Sequence, residues 1–401
     1  MKLYDAALYI HIPFCTSKCD YCDFYSITDY AYSKDTVLEI TKQVENDKIT
    51  YGIDRFHSIY IGGGTPGSLS PELIHTLLNR IKVINRGVLP EELTLECNPV
   101  NISHNNLKSW QNDGINRISL GIQTFQDSFL QLAGRNSSRK KILRALEVLS
   151  CKKALSISLD LIQGLPGMTA EDQLADLKEA LSFHPDHISW YSLSLEKGTV
   201  LEDQWANRHS LNLPERTEEQ VWAEGCQLLE RAGYIRYEVS NFSLPTMSCN
   251  HNRAYWEMRP YLGCGPGAVS MIRNPEGRIE RHRVAQDVKS YAEGSVLLDN
   301  REMPDPIDFL KDYLLMGLRV TSGIDLNSFR RIFSCVPEEL FPLALARFKR
   351  DKFIETDKIS LKTTSAGLDM LNTILISFFD ELDTSDYAGP VNWPLSSAVC
   401  S

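Results

Sequence analysis

Apolar positions change their spacing along the chain. In the first half, short runs rich in β-branched and aromatic residues occur at 8–12, 58–61, 93–97, 117–122, 155–162 and 187–193. Between most of them lie longer segments such as 70–84 and 139–149, whose apolar residues recur at helical spacing. Apolar strands joined by helical crossovers predict a parallel sheet covered by helices. Six such units are too few for a closed eight-stranded barrel, so the pattern predicts an α/β fold, a partial (β/α)6 TIM-like barrel over 1–242. No internal repeat of about 20–50 residues interrupts it.

The pattern then shifts. Residues 243–304 are rich in proline and glycine and read as a connecting segment of loops and short strands. From 305 to 382 the spacing is helical again, over 307–317, 326–333, 338–350 and 364–379, with a hairpin at 353–361. That order predicts a small, mainly helical, winged-helix-like domain. Winged helices often bind DNA, but 305–380 carries 10 basic and 11 acidic residues, with no basic stripe for a phosphate backbone. Residues 383–401 have no helical period and are expected to be a flexible tail.

Composition narrows the partners. In 401 residues, 42 Lys plus Arg stand against 52 Asp plus Glu, a net charge of −10. This disfavours nucleic acid and allows at most peripheral contact with an anionic membrane. The longest apolar stretch near a terminus, 371–379, is about half the ~18 residues a span requires. Asp5 and His11 interrupt any signal-peptide core. A cytoplasmic protein is expected.

Ten cysteines are too few for a disulfide scaffold of this size, and they are unevenly placed. Cys15, Cys19 and Cys22 form a CxxxCxxC just after the first strand, while the other seven are scattered. Thiolates at this spacing hold an iron–sulfur cluster or zinc. Three without a close fourth leave one coordination position open to a substrate or cofactor. The alternative is a zinc-stabilised binding module, its site completed by His11 or a distant histidine.

Polar groups follow the other strands at the end where barrel enzymes build their sites. Gly62-Gly63-Gly64-Thr65 follows strand two, Glu96 ends strand three, Gln123 follows strand four, Asp160 lies near the end of strand five, and Tyr191 lies within strand six. Glycines admit a ligand close to the backbone. The segment lacks the Gly-Lys-Ser/Thr of a phosphate loop, which disfavours a nucleoside triphosphate. Glu96 and Asp160 suit ribose hydroxyls, and Arg135 offers a fork for a carboxylate.

This set resembles the radical S-adenosylmethionine (SAM) superfamily, and within it the anaerobic coproporphyrinogen III oxidase-like family. The resemblance rests on Tyr9-Ile10-His11-Ile12-Pro13-Phe14-Cys15, Gly62–Pro66, Glu96-Cys97-Asn98-Pro99, Gly121-Ile122-Gln123, Gly134-Arg135 and the segment 160–166, in family order. It implies a 4Fe–4S cluster on Cys15, Cys19 and Cys22, with SAM on the fourth iron. It also implies SAM contacts from Tyr9, Tyr21, Gly63, Gly64, Thr65, Glu96, Gln123, Arg135 and Asp160.

Departures select the branch. The oxidases carry a further cysteine two positions after the third cluster cysteine and a longer leading segment; here Phe24 stands at that position and eight residues precede Tyr9. Both features are similar to the family's haem chaperone branch, as is His251-Asn252-Arg253-Ala254-Tyr255-Trp256, an HNxxYW motif. The resemblance implies haem as cargo, passed to acceptor proteins that the sequence does not identify. His251 is the candidate haem ligand and Cys249 a nearby alternative. Ser137 and Val269 stand where the family pattern has histidines. No catalytic residue is assigned. Oxidative decarboxylation of coproporphyrinogen is the alternative activity.

Overall fold

Six strands, β1 (Tyr4–Ile12), β2 (Ile53–Gly63), β3 (Glu92–Cys97), β4 (Arg117–Gln123), β5 (Ser156–Gln163) and β6 (His187–Ser192), lie side by side in chain order, all parallel. The computed structural model describes residues 3–394 apart from 152–153, 207–214, 386 and 388. The crossover Pro71–Ile84 shows why the intervening segments are helical. Ser70 accepts the amide of Leu73, proline occupies the first turn, and Ile74, Leu77, Leu78 and Ile81 form one buried stripe.

The strands are less uniformly apolar than the sequence suggested. One face carries Leu8, Ile10, Ile12, Ile59, Ile61, Leu93, Leu95, Ile118, Leu120, Leu159 and Ile188, all fully buried in the main core. The alternate positions turn Tyr60, Glu96, Ser119, Ser158, Asp160, Ser189 and Tyr191 toward a cavity. Register aligns them: Glu96 lies opposite Ser119, Ser119 opposite Ser158, and Asp160 opposite Ser189. Side chains alternate along a strand, so the barrel wall is apolar outward and polar inward.

The short strands expected in 243–304 join this sheet, with the helices Asn250–Trp256 and Val288–Ala292 between them. Beyond β6 lie β8 (Asn241–Ser243) and β7 (Ile235–Arg236). At the opposite edge β9 (Tyr261–Cys264) pairs parallel to β1, followed by antiparallel β10 (Val269–Arg273), β11 (Ile279–Val284) and β12 (Leu298–Glu302). The result is an open twelve-stranded sheet with seven parallel neighbours, β9 among them. The expected six-unit partial barrel is there, extended at both edges.

The C-terminal part builds a second core on Phe309, Phe329, Phe333, Phe341, Phe348 and Phe378, which also takes in Met258, Met271 and Ile279. Its helices include Pro306–Gly317, Leu326–Phe333 and Leu371–Asp383, with a small sheet of β13 (Ile324–Asp325), β15 (Ser360–Thr363) and β14 (Ile354–Thr356). The helix expected over 338–350 is two, Pro337–Leu340 and Pro342–Arg350, because Pro342 has no N–H to continue the first. The expected 364–379 helix likewise breaks at Met370. The described part of the tail packs on this domain. Trp393 is buried and donates its indole N–H to the Met258 carbonyl at 2.6 Å, while Asn392 N–H reaches Ile332 O at 2.8 Å. A large aromatic anchors a segment that lacks any helical period. Residues 395–401 of that tail lie outside the described residues.

Candidate functional site

The cysteine loop is closed at its base. Ile27 N–H donates to Pro13 O at 2.7 Å, and Cys15 N–H to Ile27 O at 2.9 Å. Gly64 and Thr65 hydrogen-bond to Ile12 O and Phe14 O, pressing the glycine loop against the loop that begins at Cys15. A Cβ on Gly64 would stand 2.7 Å from Phe14 O, and one on Gly63, at φ +109°, 2.7 Å from the His11 ring. Only glycine permits that approach.

Cys15, Cys19 and Cys22 line one cavity of about 490 Å³ at the C-terminal ends of the strands. Among the described residues no group of His, Cys, Asp or Glu is drawn close enough to share a single metal ion. A four-iron cube takes each thiolate at a different iron, so it requires sulfurs facing a common space, as these do. Burial pushes the Cys15 thiol up and the Cys22 thiol to about 11, an arrangement in which a cation or metal is needed to hold thiolates.

Arg135 supplies a cation beside Cys19. One nitrogen lies 3.6 Å from Cys19 Sγ and 3.4 Å from the Tyr21 hydroxyl; the other donates to Asn98 Oδ1 at 2.9 Å and to Gly121 O. Across the cavity, Asp160 accepts from Ser119 at 2.9 Å and Ser158 at 3.4 Å, while Glu96 accepts the Gly63 amide at 3.2 Å. Burial raises both carboxyls, Glu96 to about 7, with Asp160 adding like-charge repulsion. A hydroxyl-bearing or cationic ligand would relieve that strain. Gln123 sits at φ +65° beside a register shift between β4 and β5, a backbone conformation that turns the strand end toward the cavity. The residue set fits a 4Fe–4S cluster together with a ligand carrying amine, carboxylate and ribose groups.

Of the expected SAM residues, Tyr21, Gly63, Gly64, Thr65, Glu96, Gln123, Arg135 and Asp160 line this cavity; Tyr9 does not. The Tyr9 hydroxyl pairs with His11 Nδ1 at 3.1 Å, and its ring lines a second, larger cavity. Its register partner Tyr60 lines the cysteine cavity instead, hydrogen-bonded to Glu96. Tyr60 was hidden inside what read as an ordinary core strand. The serines at 119, 158 and 189 were missed for the same reason.

The larger cavity, about 1140 Å³, lies between the barrel mouth and the C-terminal domain and is lined in part by Tyr255, Trp256, Met258, Met271 and Met316. The two cavities share Asp23, Phe24, Tyr191 and Asn252. Phe24, which stands where the oxidases carry a fourth cysteine, is 61% exposed at this junction.

His251 does not face either cavity, contrary to its expected place as haem ligand. It is 1% exposed, with Nδ1 3.1 Å from Ser58 Oγ and Nε2 2.8 Å from the Tyr255 hydroxyl. Both ring nitrogens are engaged, and burial lowers its pKa to about 3, so the imidazole is neutral. The motif works through its neighbours: the helix Asn250–Trp256 presents Asn252, Tyr255 and Trp256 to the larger cavity. Cys249, the alternative ligand, lies on the wall of the smaller cavity, not the larger one; burial, with the Glu92 carboxylate beside it, pushes its thiol up to about 12.

Comparison with known proteins places this architecture. Residues 9–180 match the radical SAM superfamily and residues 305–370 the HemN C-terminal domain. The fold is that of coproporphyrinogen III oxidase (HemN) from Escherichia coli, a radical SAM enzyme, with a TM-score of 0.76 at 20% identity over 94% of this chain and 90% of that one. The chain belongs to the HemW family within that superfamily. It is 34% identical over 306 residues to the haem chaperone HemW of Escherichia coli (strain K12), covering 76% of this chain and 80% of its relative. With that of Haemophilus influenzae it shares 32% over 389 residues, 95% and 99% of the two chains. It is 30% identical over 394 residues to the mitochondrial radical S-adenosyl methionine domain-containing protein 1 of Bos taurus, covering 94% and 88%.

Proposed function

We propose that this protein is a haem chaperone that carries a 4Fe–4S cluster and SAM in the smaller cavity, holds haem in the larger one, and passes it to acceptor proteins. The observation that carries this reading is the junction of the two cavities at Asp23, Phe24, Tyr191 and Asn252. A flat, apolar cargo bound in the larger space would lie against the cluster loop without entering it. The larger cavity exceeds the roughly 300–1,000 Å³ of ordinary small-molecule sites, and its methionines and aromatics suit a polarisable macrocycle.

In this reading Cys15, Cys19 and Cys22 hold the cluster, which with SAM bound supplies one-electron chemistry. Arg135 orients a carboxylate, Glu96 and Asp160 accept ribose hydroxyls, and the polar inner wall positions SAM through Ser119, Ser158 and Tyr60. Asn252, Tyr255 and Trp256 shape the haem cavity; His251 holds Tyr255 in place. Among the described residues no helix is long and apolar enough to cross a membrane. The test is anaerobic cluster reconstitution followed by haem titration and transfer to an apo-haemoprotein. Saturable binding and transfer support the reading, and absence of both opposes it.

A further inference from the structure

Three guanidinium groups line the larger cavity: Arg281, Arg283 and Arg319. Two are already paired. Arg281 meets Asp312 at 2.6 Å and Glu302 at 3.6 Å, and Arg283 meets Asp299 at 2.8 Å. Arg319 has no acidic partner among the described residues; its guanidinium carbon stands 5.8 Å from the ring centre of Trp256. The pairing joins the two halves of the molecule. Arg319 follows the C-terminal end of the helix Pro306–Gly317, and Trp256 ends the helix Asn250–Trp256.

The chain around Arg319 is fixed. Two residues on, Thr321 donates its amide to Tyr237 O at 3.1 Å and its hydroxyl to Arg236 O at 3.0 Å, pinning this turn to the barrel edge. An arginine held over an aromatic face keeps its planar fork free at the edge, where it can take a carboxylate in two parallel hydrogen bonds. Of the three acids that line this cavity, Asp23 stands on the cysteine loop and the other two are engaged. Asp312 is paired with Arg281, and the Glu238 carboxylate accepts the Ser240 amide at 3.1 Å.

We propose that Arg319, backed by Trp256, is the anchor for a carboxylate arm of the tetrapyrrole cargo. This rests on the haem-carrying reading above and assigns it a recognition residue in the C-terminal domain. The apolar face of the macrocycle lies along the methionine-lined wall, and the carboxylate edge meets the one uncommitted guanidinium. Cargo so bound touches both the barrel and the C-terminal domain.

The test titrates the full, cluster-reconstituted chain with haemin and with haemin dimethyl ester, whose carboxylates are blocked. Wild type should bind haemin about 10-fold or more tightly than the ester, a factor typical of one charge-assisted pair. Arg319→Gln should weaken haemin by a similar factor and leave the ester unchanged, and Arg319→Lys should fall between. Normal cluster content in the variants verifies their fold. Arg319→Gln binding both ligands like wild type would overturn the anchor, as would equal loss for both, which would mean a change of cavity shape. Failure of the wild type to bind either ligand would instead remove the haem-carrying reading itself.

Discussion

Glu92 and His251, 159 positions apart in sequence, are joined by a 2.8 Å hydrogen bond from the His251 amide to Glu92 Oε1. The second carboxylate oxygen takes the Asn250 amide at 2.7 Å. The first residue of β3 therefore anchors the start of the HNxxYW helix, and the His251 ring, held between Ser58 and Tyr255, fixes its far side. This is a structural clasp, placed where a metal-ligating histidine was expected.

His251→Ala should accordingly act on stability. It leaves the buried Ser58 hydroxyl without its partner, at a cost of about 1–3 kcal/mol, and releases the Tyr255 hydroxyl at the cavity wall. Denaturant unfolding should show the loss, while the Soret band of the remaining haem-bound protein keeps its position. A shifted Soret band with unchanged stability would return the ligand role to His251.

Acid should destabilise the protein through its buried histidines. Burial, aided by the Arg259 charge, lowers His57 to about 4, and His251 lies at about 3. Their folded pKa values lie below the unfolded value, so the unfolded chain binds more protons. Stability is complete above about pH 6.5 and falls as pH drops toward 4. The raised carboxyls of Glu96 and Asp176, at about 7 and about 6, work in the opposite sense. Comparing His57→Gln with wild type isolates the histidine: the variant should lose less stability between pH 7 and pH 4.5, by the order of 2 kcal/mol. Parallel acid limbs would contradict this.

Cys15→Ala should abolish the cluster's visible absorbance and its iron content after anaerobic reconstitution. Cys97 and Cys249 line the same cavity, but each stands in a strand or helix start nine-tenths or more buried, so neither is expected to replace Cys15 on the loop. Retention of a full, SAM-responsive cluster would show that the ligand set is wrong.

Asp160→Asn and Arg135→Ala should separate two roles in SAM binding. Asp160 touches only serine side chains in the wall, so its variant should keep normal iron content and lose about 10-fold or more in SAM affinity. Arg135 also contacts Cys19 and holds Asn98 and Gly121, so its variant should bind SAM weakly and lose its cluster faster. Isothermal titration and the rate of iron release measure the two effects. Wild-type SAM affinity in both would move the site elsewhere.

Much of this architecture is legible in the sequence because it depends on local signals. Strand runs, helical stripes and the CxxxCxxC loop appear where periodicity and spacing put them, and the helix Leu326–Phe333 falls on its expected residues. What escapes is set by long-range pairing. β9 pairs with β1, some 250 residues earlier, so the short strands expected in 243–304 could not be assigned to the barrel sheet from the sequence. Tyr9 and Tyr60 are register partners, and which of them faces the cysteine cavity depends on how the barrel wall turns. His251 shows the same limit: its motif is visible, but whether the imidazole points into a cavity or into the core is decided by Ser58, Glu92 and Tyr255.

The central claim, that the larger cavity carries haem beside the cluster loop, is tested most directly by anaerobic haemin titration of the reconstituted protein, with coproporphyrinogen III supplied to a parallel sample. The account predicts a saturable Soret transition at a defined stoichiometry and no conversion of coproporphyrinogen. Conversion of coproporphyrinogen without saturable haem binding would contradict it.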